Sequence, residues 1–308
     1  MCSCKFDQGT IIYGVRSEKY PEGPCYGVII SAMCDIAQRK VPKYYYLTAL
    51  DASAWFCSAF GFAQTYASKR KQLREKIYAS ARELELDGDT LIKQSPSALA
   101  MIVSAKKEEI CGCKSSAKKV AALEKQIDDY HKVSTYSESA DERKQVIKDN
   151  YKEALQFLKD VDSGKRHHFY YLPQVAYLDN GVKSKGLIVD MLEISALLPE
   201  DVEMIISPFS HGIDYRCLPK LPSIDDLKEK NAFDEKNFRT IKEFVRLKNA
   251  FWLEDNSDFV DIEGKISSPW REHLMQRFSN VFVRIGLENP EESDFISVIT
   301  NCFEENCQ

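Results

Sequence analysis

Cys34 and Asp35 stand side by side where the apolar run Gly27-Val28-Ile29-Ile30 gives way to the polar, basic run Gln38-Arg39-Lys40. Polar groups placed where a buried strand emerges are held by a rigid element yet still meet solvent, a setting in which sites are often built. Two chemistries suit these residue types. Cys34 would act as a nucleophile if a neighbouring base and a lowered pKa activated it. Asp35 would act as an acid/base or as a polar anchor. The candidate imidazoles, His167, His168 and His273, are all distant in sequence. The structural alternative makes Cys34 a small core residue and Asp35 the cap of a turn, its carboxylate accepting backbone N–H bonds. Neighbouring side chains on a strand or its extension point to opposite faces, so the two need not enter one pocket. That alternation, with no base close by in the chain, moves the weight from Cys34 to Asp35.

Two further groups carry chemistry. His167-His168 follows Gly164-Lys165-Arg166 and leads into the aromatic run Phe169-Tyr170-Tyr171. Successive strand residues do not readily ligate one metal, because they face opposite ways. Lys165, Arg166 and one histidine would instead suit a phosphate, with Tyr170 or Tyr171 stacking on a base; the alternative places these aromatic residues in the core of a half-buried sheet. Arg271, Arg277 and Arg284 recur with His273 on a late helical segment, a donor array for phosphate or carboxylate. A solvated helix face with arginine stems over apolar surface is the alternative there. Aspartates such as Asp35 or Asp190 would also satisfy these arginines internally. The expected catalytic set is Asp35, Cys34 and His168. The expected phosphate or nucleic-acid set is Arg39, Arg271, Arg277 and Arg284.

The chain lacks the P-loop, the dinucleotide-binding glycine fingerprint, the zincin H-E-x-x-H and the nucleophile elbow G-x-S-x-G, which argues against the activities those motifs serve. Its ten cysteines include Cys2-x-Cys4 and Cys111-x-Cys113, one residue closer than usual zinc pairs. Free thiols in a reducing cytoplasm are therefore expected, with no metal and no cofactor. The net charge of −5 excludes a globally basic nucleic-acid binder but not a local patch. After Gly286 every charged residue is acidic, so that end would repel phosphate. No apolar run approaches the roughly 18–20 residues of a membrane span, and the first residues lack a secretory pattern.

The elements that must position these residues fall into three stretches. Residues 1–62 read as β-structure: Gly9 to Val15, Val28 to Ile30 and Val41 to Leu50 are apolar or β-branched, with turn signals between. The loop Cys34 to Lys40 would join two antiparallel neighbours. Residues 63–165 are poor in glycine and proline and read as a helical insertion or lobe. Val120, Leu123 and Ile127 mark one of its helices, and Ser139 to Glu142 forms a capping box before a helix to Val161. Residues 166–308 return to strands at 167–178 and 186–192, with a further strand at Glu200 to Ile206. An irregular loop over 211–235 and helices at Phe238 to Leu253 and from Ser268-Pro269 to Ile285 follow. The fold class is α+β: a small antiparallel or barrel-like sheet from both ends of the chain, with a large helical insertion.

Gly27-Val28-Ile29-Ile30-Ser31 with Cys34-Asp35-Ile36, and Ser268-Pro269-Trp270-Arg271-Glu272-His273-Leu274 with Gln276-Arg277-Phe278, resemble a group of uncharacterised bacterial proteins. Gly9 to Ile12, Gly27 to Ser31 and a strand ending near Leu50 are also similar, in order, to the first strands of the MazF/PemK toxin barrel, and Gly186 to Leu198 to a later strand. The second resemblance implies a small SH3-like barrel and RNA binding or cleavage. The expectation is a cytoplasmic bacterial protein acting on RNA or DNA, toxin-like or in phage defence, without a membrane. Its site would lie where Asp35, Arg39, one histidine of the pair and the last helix converge. The alternatives are a non-enzymatic interaction module that docks a protein through the helical lobe, and thiol chemistry at Cys34.

Overall fold

The computed structural model describes residues 6–38, 40–84, 86, 96–105, 114–134, 139–173, 176–177, 186–207, 212–223 and 235–285. Strands β1 (Thr10–Val15), β2 (Cys25–Ile29), β3 (Tyr44–Asp51), β4 (Phe169–Leu172), β5 (Ala176–Tyr177), β6 (Leu187–Leu197), β7 (Ile213–Asp214) and β8 (Phe259–Lys265) form one open antiparallel sheet. Their order is β4-β6-β3-β2-β1-β8-β5, with β7 also against β8. The fold is α+β with strands from both ends of the chain, and the sheet does not close.

β8 has no counterpart among the strands expected from sequence. It alternates Val260, Ile262 and Gly264 with Asp261, Glu263 and Lys265, which is the pattern of a strand with one charged face. It pairs with β1 through Thr10↔Lys265 and Tyr13↔Asp261. The late part of the chain thereby adds its strand directly beside the first one.

The sheet buries both faces, and period-two alternation sorts its side chains. Ile12, Ile29, Tyr46 and Ile188 point to one face, against Trp55, Phe157, Val202 and Phe251. Ile11, Val28, Leu47 and Val189 point to the other, against Leu274 and Val281. Helix α1 (Met33–Ala37) follows β2 directly. Helices α2 (Ala52–Cys57), α3 (Ala59–Thr65), α4 (Ala67–Glu83), α5 (Pro96–Ala105), α6 (Lys114–Ser134), α7 (Ala140–Asp149) and α8 (Tyr151–Asp162) run between β3 and β4. Helices α9 (Pro199–Ile206), α10 (Glu235–Ala250) and α11 (Trp270–Ile285) complete the chain's described helices.

The helical stretch splits by what it packs against. Ile77 on α4, Leu99 and Val103 on α5, and Val120, Leu123 and Ile127 on α6 form a core of their own. By contrast, Ala154, Phe157 and Val161 on α8 belong to the core of the sheet. Ser139 caps α7, its hydroxyl accepting from the Glu142 amide at 3.3 Å, as its capping box predicts. The expected single helix from 143 to 161 nevertheless breaks at Asn150. There the Asn150 side chain donates to the Val146 carbonyl at 3.0 Å and accepts from Lys69 at 2.6 Å.

Two other local expectations change. The segment after β2 is a helical turn rather than a loop: the Ala32 carbonyl accepts from Asp35 and Ile36, each at 3.1 Å. One turn of helix returns Ile36 to the core, where it is buried. Residues 199–206 are helix α9 and not a strand. Pro199 begins it, and Asp201 accepts from the Leu198 amide at 3.0 Å. Val202 and Ile205 are buried three residues apart, a helical spacing that a strand would place on opposite faces.

Candidate functional site

Cys34 and Asp35 lie on α1, both exposed, with the thiol 3.5 Å from its neighbour's carboxylate. No described contact joins either to a histidine. β2 leads to α1 and is separated from β4, which follows His168, by β3 and β6. Three strand spacings are on the order of 14 Å. Arg39 lies outside the described residues.

His168 is held elsewhere. Its carbonyl accepts from the Met191 amide at 2.9 Å, and its ring lies 3.9 Å from that of His167, centroid to centroid. Its Nδ1 is buried without a hydrogen-bond partner among the described residues. Burial lowers its pKa, as do His167 and Lys19, against an opposing pull from Asp190. The imidazole is therefore biased toward its neutral form.

The arginines of α11 are mostly architectural. Arg277 donates to the carbonyls of Val161 at 3.1 Å and Asp162 at 3.0 Å, adding a cation to the C-terminal carbonyls of α8, where the Gly164 amide also donates to Val161. Gly164 makes this approach possible. Its φ is +78°, and a Cβ there would stand 2.5 Å from the Arg277 guanidinium. Arg271 bonds its neighbour Glu272 at 2.5 Å. His273 Nδ1 meets the Tyr170 hydroxyl at 3.0 Å, and burial pushes that phenol up to about 12. Arg284 lies on α11, but its side chain is outside the described residues. Arg277 and the histidine pair thus meet at the turn that joins α8 to β4; Asp35 does not join them.

That turn separates two clefts. One, of about 170 Å3, is lined by Ser163, Gly164, His167, Arg277 and Asn280. The other, of about 440 Å3, lies between α4 and α8 and carries Lys69, Lys76, Lys152 and Arg166 with Gln72 and Gln156. Residues 69, 72 and 76 share one face of α4, and 152 and 156 share one face of α8. The acids in this cleft are Glu153 and Asp160. Lys69 is tied to Glu153 at 2.7 Å, and Asp160 accepts from Gln156 at 2.9 Å. Arg166 stacks over Phe157 at 5.2 Å. Lys76 and Lys152 make no ion pair among the described residues.

The chain matches no family model. No curated protein and no solved structure is similar to it.

Sequence reasoning reached Lys165, Arg166 and the histidines, but missed Lys76 and Lys152. The available signal was the i,i+4 pair Lys152 and Gln156 on one helix face, but nothing in the sequence says that this face opposes α4. A buried network of a different kind was also missed. Asp190 accepts from Lys19 at 2.5 Å and Tyr20 at 2.8 Å, and from the Leu192 amide at 3.1 Å. The register of β6 against β3 jumps beside it, from Leu47↔Ile194 to Thr48↔Asp190. This bulge turns the chain around Asp190, so the carboxylate has partners where a regular strand would leave it unsatisfied. No helix among the described residues is long and apolar enough to cross a membrane, and no three metal-ligating residues among them form a group that could hold an ion.

Proposed function

We propose that the protein binds nucleic acid through its phosphodiester backbone, along the α4–α8 cleft and over the 163–168 turn. The carrying observation is the set of cations at the two clefts, Lys76, Lys152 and Arg166 at one and Arg277 at the other, with the polar His167 ring beside Arg277. Lysine and arginine side chains at a cleft of this kind suit phosphates spaced along a strand. The remaining polar lining, Gln72, Gln156 and Asn280, offers hydrogen bonds without adding negative charge. The reading is one of binding, because the exposed thiol and carboxylate of α1 make no contact with an imidazole among the described residues.

The test is fluorescence anisotropy with short single-stranded RNA and DNA across a salt series. Saturable binding is expected, with a Kd of about 10−6 to 10−4 M at physiological salt and a steep loss as salt rises. Binding that is absent even at low salt would overturn the proposal. So would binding that survives reversal of charge at Lys76 and Lys152 in a folded variant.

A further inference from the structure

A further cavity lies at the end of the sheet where β3 passes into α2. Its volume is about 540 Å3, within the range of small-molecule sites. Strand pairing places part of its lining. Tyr13 pairs across the sheet with Tyr26 on β2 and Asp261 on β8, and Tyr26 pairs with Ala49 on β3. Cross-strand partners share a face, and so do residues two apart on one strand. Asp51, two beyond Ala49, joins the tyrosines on that face, and Glu263, the extra residue where the β8 pairing slips from Ile12↔Ile262 to Ile11↔Gly264, lines the same cavity.

The walls are aromatic and the charges are acidic. Tyr13 lies 5.2 Å from Tyr26 and 5.8 Å from Phe259, with interplanar angles of 55° and 51°. Rings so inclined enclose a space rather than stack flat. Arg143 is the cation of the lining, and it is spoken for: it lies 3.7 Å from Glu22 and donates to the Cys57 carbonyl. That leaves Asp51 and Glu263 without a matching positive charge. The Tyr26 hydroxyl donates to Asp51 at 3.2 Å, while Glu263 has no hydrogen-bond or ion-pair partner among the described residues. Burial, then Asp261 and Asp51, raise the pKa of Glu263. Two carboxylates facing one aromatic enclosure attract a cation with an apolar body, since the ring faces and the carboxylates favour the same charge.

We propose that this cavity is a binding site for a small organic cation of the alkyl diamine class. Its ammonium groups would meet Glu263 and Asp51, and its methylenes would lie against Tyr13, Tyr26 and Phe259. An anion is disfavoured by the same carboxylates. A bare metal ion would gain little from aromatic walls, and the described acids do not converge closely enough to hold one.

The test is isothermal titration of the full chain with putrescine at low salt, with neutral butanediol as the isosteric control. Saturable binding of the diamine and none of the diol is expected. Glu263→Gln and Tyr13→Leu should each weaken it by about tenfold, from a lost charge-assisted bond and a lost cation–π contact. Circular dichroism checks that each variant folds, and Asp51→Asn takes the place of either that does not. No saturable binding at millimolar putrescine, equal binding of the diol, or unchanged affinity in the folded variants would each overturn the proposal. The nucleic-acid titration is read separately, so either proposal can fail alone.

Discussion

The two charged regions of this molecule are built on different elements, and the difference decides what each can recognise. The larger basic cleft is lined largely from helices α4 and α8, by lysines on long stems around an open groove. Charges of that kind are screened by salt and adapt to many partners. In the acidic cavity, side chains of β1, β2, β3 and β8, whose spacing the strand ladder sets, face residues of the β1–β2 loop and of α2 and α7. Such walls are rigid and half-buried, which favours a ligand of defined size. Between the regions runs the Asp190 network. Tyr20 lines the acidic cavity and bonds Asp190, while Asp190 pairs in register with Phe169, next to the histidine turn.

The strongest way to break this comparison is to remove the link. Asp190→Ala leaves Lys19 and Tyr20 without their acceptor and should cost about 3 kcal/mol or more in urea denaturation. A loss below about 1 kcal/mol would show that the two regions do not depend on a common support.

Charge reversal at the basic cleft comes next in size. Lys76→Glu combined with Lys152→Glu should weaken RNA binding at least about tenfold and reduce the salt slope by about 2. Putrescine binding should stay unchanged. A loss of both activities in a folded variant would mean that the regions are not independent.

Glu263→Gln sharpens the comparison through stability. The folded-state pKa of Glu263 is raised above its ordinary value, so its charged form is disfavoured in the folded protein. Its stabilising contribution is fully present below the ordinary carboxylate pKa and is lost as pH rises through the raised value. The glutamine variant should therefore melt above the parent near pH 7, with the difference shrinking as pH falls toward 4. A site that gains stability when it loses binding is the expected trade-off for a functional carboxylate. An unchanged Tm across that range would argue against a strained acid there.

The smallest effect is expected at α1. Cys34→Ser should shift stability by no more than about 0.5 kcal/mol and leave both binding activities intact, since the thiol is exposed. A large loss of RNA binding would return the site to Cys34 and Asp35.

Much of the fold was legible in the sequence. The β-branched runs of the first fifty residues, the Val120-Leu123-Ile127 stripe and the Ser139 cap each state their own conformation, because local periodicity and capping act within a few residues. β8 was missed although its alternation is plain, because Asp261, Glu263 and Lys265 give its short run a largely polar composition. α9 was misread because a short apolar run fits strand and helix alike until Pro199 and the Asp201 cap decide it.

The site was less legible. Sequence determined which residues could carry charge and which segments could be helix or strand. Tertiary structure alone decided that Arg277 closes the end of α8, that Lys76 and Lys152 face one cleft, and that Asp35 stands apart from His168. It also brought Asp51 and Glu263 to one cavity. The reason is that charge and propensity are properties of single residues and short windows. Convergence depends on strand order and helix packing, which join positions far apart in the chain and leave no local mark at either one.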